Sequence, residues 1–509
     1  MIKKQKEKIK IGKNPIISIL LITAIVIVIS AILSLLGIEG QKTTIVNNAL
    51  ETSLVTVKNI FSIEGIKFVL GNSITNFQIL EPLGLLVVSF ITIYFLDYSG
   101  IIKPIATPFK KLKPIILTFL VLTFSAILSF LGDYSYLILM PLVALIYKEV
   151  DKNPISGIIT VFLGLTLGYG FGFIFNHNDY LLGQLTELAA KIDVDQDYKF
   201  HLTSNLYIMM SSVILIIFVL TYSIEKKITP KLPKIKKEEL EIIETDENKK
   251  TPLLLSGVTF ILLTAILIYC ILPDLPYSGI LLDPESPTYI SSLFSENASF
   301  KEGFPYIMMF IIIITSYVYG KFSKNITKEQ DYINQVFKKL NGIGYVLVLL
   351  FFLSQLIAII NWTNIGEVIA TKLITFMAGL EFSGAPLIIM LFIITILIGI
   401  LIPSTLSKWM LMSPLIVPLF MRSNITPDFT QLIFKSADGI GKAITPLYIY
   451  FIIMVGFVQS YWENKKVTIL GMYKLIMPTI LITAGLLILI VIGWFIIGLP
   501  LGPITYPTL

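Results

Sequence analysis

The sequence predicts an all-α polytopic membrane protein with about nine transmembrane helices plus two re-entrant hairpins, arranged as two inverted repeats. Three observations carry that expectation. Charged residues make up only 14% of the 509 residues and hydrophobic ones 55%, with a mean hydropathy of +0.83; a soluble chain carries about 25% charged residues. Uncharged stretches recur along the whole chain at the length of about 18 residues that a crossing of roughly 30 Å of hydrocarbon requires. Finally, the two halves align without a gap when shifted by 273 residues, which brings Tyr136 onto Trp409, Pro141-Leu142 onto Pro414-Leu415, Pro154 onto Pro427 and Gly168 onto Gly441.

The first apolar segment, about 15–36, is longer than a signal-peptide core and lacks a small-residue cleavage site, so it reads as a retained span. Lys3, Lys4, Lys6, Lys8, Lys10 and Lys13 precede it and place the N-terminus in the cytoplasm. A second span, about 79–99, ends at Lys103, Lys110, Lys111 and Lys113, which sets that loop inside and residues 37–78 outside. The stretch 114–149 is interrupted at Ser129–Asp133, and both of its ends read cytoplasmic. A turn of Gly132 and Asp133 alone is too tight for two full crossings. A re-entrant hairpin is therefore expected, since non-helical backbone at depth is tolerated where it lines a cavity.

Span 3, about 155–175, contains Gly164, Gly168, Gly170 and Gly172; each glycine weakens a helix by roughly 1 kcal/mol relative to alanine. They permit either close helix packing or a break. Residues 176–203 carry Asp179, Glu187, Asp193, Asp195 and Asp197 and read as external, and span 4 (about 204–223) returns inside. Residues 224–251 are densely charged, hold Pro230 and Pro233, and divide the chain. The expected organisation is an N-terminal half (1–223), a charged cytoplasmic linker (224–251) and a C-terminal half (252–509).

Spans 5 (252–272) and 6 (303–321) flank an external loop with Asp274, Asp283, Glu285 and Glu296. A basic loop with Lys321, Lys324, Lys328, Lys338 and Lys339 follows, then span 7 (about 343–361). Residues 364–381 suit an amphipathic helix at the membrane interface. A second interrupted hairpin covers about 386–421 and is entered from the opposite side to the first. Span 8 (about 436–458) reads as glycine-broken, with Lys465, Lys466 and Lys474 at its inner end, and span 9 (475–498) leads to a short external C-terminus. Inverted repeats of this kind mark secondary transporters with a site near the midplane.

Several function classes drop out. The net charge of +6 lies in membrane-flanking lysines, where orientation accounts for it, so no nucleic-acid partner is indicated. The single Cys270 excludes a disulfide framework or thiolate cluster. The two histidines, His177 and His201, are too few for a histidine-rich metal site. No phosphate-binding glycine motif, metal-ligand spacing or nucleophile elbow occurs, so an ATP-driven pump or an enzyme is not expected, and no cofactor is called for.

Ionisable residues within apolar segments are the natural site candidates, because intramembrane charge is expensive. Asp133 lies at the first hairpin's turn, where it is either functional or a solvated cap. Lys408 and Trp409 sit in the second hairpin, and Trp409 there suits stacking on an aromatic ligand or anchoring at an interface. Lys435, Asp438 and Lys442, spaced three and four apart, share one helical face, so Asp438 can pair with either lysine; the group is a structural triad or a binding site. Asp179 in "NHND" is an external acid or a boundary site residue, and His177 a boundary side chain or a proton relay. Asn361 and Asn364 in "NWTN" read as caps.

The runs "SKWMLMSPLIVPLFM", "PDFTQLIFKSADGIGKAITPLYIYF" and "GLPLGP" resemble the AbgT family of aminobenzoyl-glutamate transporters. "EPLGLLVV", "DYSYLILMPLVALIY", "NHNDYLLGQLTELAA" and "FFLSQLIAIINWTNIG" extend the resemblance over nearly the whole chain. It implies nine spans with two hairpins, a homodimer with one pathway per subunit, and substrates such as p-aminobenzoyl-glutamate or p-aminobenzoate, in uptake of folate fragments or efflux of sulfonamides. It also implies functional roles for Asp179, Trp409, Pro427, Asp438 and Pro446.

Two departures stand out. Lys435 replaces a family arginine, which keeps the charge and loses the flat bidentate grip on a carboxylate. Family asparagines, plausible sodium ligands, correspond here to Gly172, Gly399 and Lys442, and a hairpin serine to Leu406. The expectation is that Lys442 stands in for bound sodium, so that coupling is sodium-independent and proton coupling runs through Asp179 or Asp438.

The resulting reading is a multi-pass transporter of the inner (plasma) membrane that carries a small organic anion, preferably aromatic, across the lipid bilayer by alternating access. Lys435 and hairpin N–H groups would hold the carboxylate, Trp409 would stack on the ring, and helix N-termini near Pro427 would add favourable dipole ends. The rivals are a carrier of dicarboxylates or amino acids on the same scaffold, and a non-transporting membrane receptor or scaffold.

Overall fold

A computed structural model describes residues 14–46, 49–168, 172–192, 195–233, 250–295, 297–328, 330, 333–334, 343–462 and 466–509. The N-terminal lysines up to Lys13, Gly170, Asp193, most of the charged linker (234–249), Glu296, Lys338, Lys339 and Lys465 lie outside the described residues.

Helix α1 (Pro15–Leu35) starts on Asn14, whose side chain accepts the Ile16 N–H, with proline at its first position. A two-stranded antiparallel hairpin follows, β1 (Glu39–Val46) against β2 (Ala49–Thr56), paired from Glu39 with Thr56 to Val46 with Ala49. Then come α2 (Ile63–Gln78) and α3 (Pro82–Ser99), which together form an apolar segment of 37 residues. Residues 37–78, expected only as an external stretch, form these two strands and α2.

The short α4 (Ile102–Ala106) leads to α5 (Pro114–Leu128), a 3-10 turn at Ser129–Leu131, and α6 (Tyr134–Glu149). Gly132 supplies the positive φ of +57° at that break. Helix α7 (Pro154–Leu167) opens on an Asn153 cap and ends at Gly168, so the chain does break where its glycines accumulate. Residues 176–203, expected as external, begin with a capped helix, α8 (His177–Ala190), packed into the core against the helices of the second half. Helix α9 (Leu206–Ser223) completes this half.

Beyond the linker lie α10 (Lys250–Ile271), α11 (Tyr289–Phe294), α12 (Ser299–Phe322), α13 (Ile343–Trp362) and α14 (Ile365–Ala378). Helix α14 is amphipathic as expected, and its buried face, with Val368, Thr371 and Ile374, packs on β1 and on the interrupted pair that follows. That pair is α15 (Gly384–Leu401) and α16 (Thr405–Arg422), separated at Ile402–Ser404. The last elements are α17 (Pro427–Ile444), α18 (Ile449–Tyr461) and α19 (Ile469–Ile497).

Among the described residues, nine helical segments are long and apolar enough to cross a membrane: α1, α2 with α3, α5, α9 with its short extension to Lys231, α10, α12, α13, α15 and α19. The pair α17 and α18 also reaches that length but bends by 42° between them. The molecule is a helical multi-pass membrane protein.

One expectation needs correction. Span 8 was read as broken at its glycines, yet α17 runs unbroken through Gly439 and Gly441, and the break falls at Thr445–Tyr448 around Pro446. The glycines serve close packing instead. A β-carbon at Gly439 would collide with the Thr166 carbonyl of α7, and one at Gly441 would lie 3.3 Å from the Cα of Gly399 on α15. Proline, which removes a donor and clashes with the preceding turn, is the breaker.

The elements are layered. Helix α7 is buried at every residue and α17 from Pro427 to Ala443, whereas α10 buries only Pro252, Ser256 and Leu267. The polar helix α17 therefore sits at the centre, touching α7, α8, α15, α16 and α19.

Candidate functional site

Two ionic centres are built on α17. The first joins it to α8. Asn176 and Asp179 form a capping box: the Asn176 Oδ1 accepts the Asp179 N–H at 3.0 Å and the Asp179 Oδ2 accepts the Asn176 N–H at 3.0 Å. The other carboxylate oxygen, Oδ1, is left for Lys435, which donates to it directly. Both residues are buried, at 5% and 4% exposure. Asp179 is thus neither a loop acid nor an isolated charge: it caps a helix and neutralises a buried lysine at once.

The second centre joins α17 to the interrupted pair. Asp438 is fully buried, and Lys408, also at 0% exposure, pairs with its Oδ1. Its Oδ2 accepts the Thr405 hydroxyl at 2.5 Å and lies 3.3 Å from the Lys442 ammonium. Lys442 in turn stands 5.4 Å from the centre of the Tyr448 ring, just past the break at Pro446. Gly399 belongs to this centre too, since a β-carbon there would lie 3.4 Å from the Lys408 Nζ.

The expected triad is therefore divided. Asp438 does pair with Lys442 one turn away, but Lys435 turns to Asp179, and the second cation on Asp438 is Lys408. The physical reason is that α17 is wedged between α8 and α16 and meets a different partner on each side. Burying a charge without a partner costs several kcal/mol, and here each ammonium faces a carboxylate.

Asp133 precedes α6 and faces the Tyr450 hydroxyl and, further away, Lys442. Beside it Tyr136 stacks on Tyr450 with centroids 4.6 Å apart and shares a 3.1 Å hydrogen bond with Thr166. Asp133 thus borders the Tyr136–Tyr450–Tyr448 ring cluster, whose Tyr448 ring also faces Lys442. His177, the first residue of α8 and within the Asn176–Asp179 capping box, packs its ring against Phe294 at 5.6 Å.

Trp409 is fully buried. Its ring lies 4.5 Å from Phe434, and its Nε1–H donates to the Thr186 Oγ1 at 2.9 Å. The Thr186 hydroxyl donates onward to the Gln431 Oε1 at 2.6 Å. Pro427 occupies the first position of α17, and the preceding Thr426 is tied to the C-terminal segment by its hydroxyl, which donates to the Tyr506 carbonyl at 2.8 Å.

Sequence reasoning missed Thr186, Gln431, Thr405 and the Asp438 bond of Lys408. Only Asn176 left a usable signal, the Asn-x-x-Asp spacing of a capping box. Among the described residues, no three His, Cys, Asp or Glu side chains converge in a way that could hold a metal ion.

Comparison with known proteins agrees with this architecture. The chain is 27% identical over 500 residues to the p-aminobenzoyl-glutamate transport protein of Escherichia coli strain K12, covering 97% of this chain and 94% of that one. Its fold is similar to that of MtrF from Neisseria gonorrhoeae, described within a class of antimetabolite efflux pumps, with a TM-score of 0.50, 25% identity, and 97% of this chain and 98% of that one covered. The YdaH transporter of Alcanivorax borkumensis matches with a TM-score of 0.49 and 23% identity, over 96% of this chain and all of that one. The AbgT transporter family profile matches residues 8–509. The chain belongs to the AbgT family.

Proposed function

We propose that this membrane transporter carries an anionic aromatic compound of the p-aminobenzoyl-glutamate or p-aminobenzoate class by alternating access, coupled to an ion gradient. The observation that carries this reading is the buried Lys435–Asp179 pair. A lysine held by an internal carboxylate is a carboxylate site with its counter-ion already in place: a substrate carboxylate competes for the same ammonium, and the released Asp179 becomes available to a proton. The E. coli relative's name supplies the substrate class. Trp409 packs on Phe434, the neighbour of Lys435 on the helix that Pro427 opens, and a homodimer belongs to the same proposal.

The second centre supports sodium-independent coupling. Both oxygens of Asp438 are taken by Lys408, Thr405 and Lys442, so tethered ammonium groups occupy the charge that a bound cation would neutralise.

The test is a panel of radiolabelled p-aminobenzoyl-glutamate, p-aminobenzoate, succinate and a basic amino acid in proteoliposomes with imposed proton and sodium gradients. Saturable flux of the first two is expected, with Lys435→Ala raising the half-saturating concentration by about tenfold or more, the equivalent of a lost charge-assisted hydrogen bond. No flux of any compound, or a silent Lys435→Ala, would defeat the proposal. Preference for succinate or the amino acid would move the substrate to another class on the same scaffold.

A further inference from the structure

We infer that Thr186 and Gln431 are positioning residues of the transport site, forming a neutral pivot that holds Trp409 and α8 on α17 while the Asp179–Lys435 pair opens. The inference rests on the carboxylate-binding role given to Lys435 above. Helices α8 and α17 are joined by two polar contacts in opposite order along the two helices, Asp179 to Lys435 and Thr186 to Gln431. Their chemistry differs. The first is an ion pair, and an incoming carboxylate competes for its lysine. The second is neutral and offers an anion nothing to displace.

The Thr186 hydroxyl is used from both sides: it accepts from the Trp409 indole at 2.9 Å and donates to Gln431 at 2.6 Å, with the Leu182 carbonyl as a second acceptor at 2.8 Å. Trp409 and Thr186 are fully buried and Gln431 is 2% exposed, so no solvent replaces these partners. One hydroxyl thus connects three elements: α16 through Trp409, α8 through Thr186 itself, and α17 through Gln431. When Lys435 exchanges Asp179 for substrate, this contact keeps the three in register, and it keeps the indole packed on Phe434, the residue next to Lys435.

The experiment uses full-length protein in proteoliposomes. Thr186→Val keeps the shape and removes the hydroxyl; Thr186→Ser restores it; Gln431→Met removes the acceptor and serves if the valine variant does not fold. A readout that needs no substrate is acrylamide quenching of Trp409, taken as the difference between each protein and the same protein carrying Trp409→Phe. Trp409 should be protected in the parent and the serine variant and quenched several-fold more strongly in the valine and methionine variants. With p-aminobenzoyl-glutamate as probe, Thr186→Val should lower the maximal exchange rate by about tenfold, on the scale of one lost hydrogen bond. Its half-saturating concentration should stay close to that of the parent, the opposite split from Lys435→Ala.

Undiminished protection of Trp409 in both Thr186→Val and Gln431→Met would overturn the pivot, as would a serine variant no better than valine. If the parent moves none of the panel, the transport reading fails on its own, and the quenching result still decides the pivot.

Discussion

Asp438 concentrates the electrostatics of the molecule in one side chain. It holds two lysines, one from its own helix and one from α16, and accepts a threonine hydroxyl as well. Removing its charge leaves two ammonium groups facing each other in a dry interior, for which the typical cost of breaking a buried pair is about 3–5 kcal/mol. Asp438→Asn should therefore lower the melting temperature of the purified protein markedly more than Lys442→Met, which leaves Asp438 still paired with Lys408. Equal melting temperatures for the two variants would show that Lys408 does not carry the pairing. The sequence made Asp438 and Lys442 visible because they are four apart on one helix. Lys408 and Asp179 were visible only as isolated charges, since the contacts that define them span 30 and 256 residues, and no local spacing encodes such a separation.

At the scale of elements, the legible features were those with local causes. Prolines at first helical positions stand at the starts of α1, α5 and α7, close to where the sequence reading begins those segments, whereas α17 starts at Pro427, ahead of the expected 436. Of the two readings left open for the span 3 glycines, the break is the one found, at Gly168. The same residue type misled at α17, where Gly439 and Gly441 are contact points within a continuous helix. A glycine is ambiguous in sequence because the same missing β-carbon permits both a loose backbone and a close approach. Contact partners resolve it: Gly439 abuts the Thr166 carbonyl, whereas Gly485 on α19 has no atom within 4 Å of where a β-carbon would sit. Gly439→Ala should accordingly separate α7 from α17 and reduce folded yield and transport together. Gly485→Ala should be neutral or stabilising by up to about 1 kcal/mol, the helix-propensity difference. A melting-temperature comparison decides between these outcomes, and a harmless Gly439→Ala would mean that the α7–α17 contact is not constrained there.

At the scale of the whole molecule, the two ionic centres ask to be treated as parts with separate tasks, anchored on α17 at Lys435 and Asp438, about one turn apart. On the proposed function, the first centre exchanges Asp179 for a substrate carboxylate at Lys435. The second has its charges tethered at both ends, so it changes only if helices move or protons leave. That division has a consequence for coupling. A transporter that needed sodium at Asp438 would have to displace Lys408 or Lys442 from it, at the several-kcal/mol cost of unpairing a buried lysine. Uptake or efflux in proteoliposomes should hence persist when sodium is replaced by choline and should respond to an imposed pH gradient. Lys442→Asn frees one side of the carboxylate and offers an amide oxygen in its place, so this variant should lose activity or acquire a sodium dependence that the parent lacks. Flux in the parent that stops without sodium would mean that the lysines leave Asp438 during the cycle.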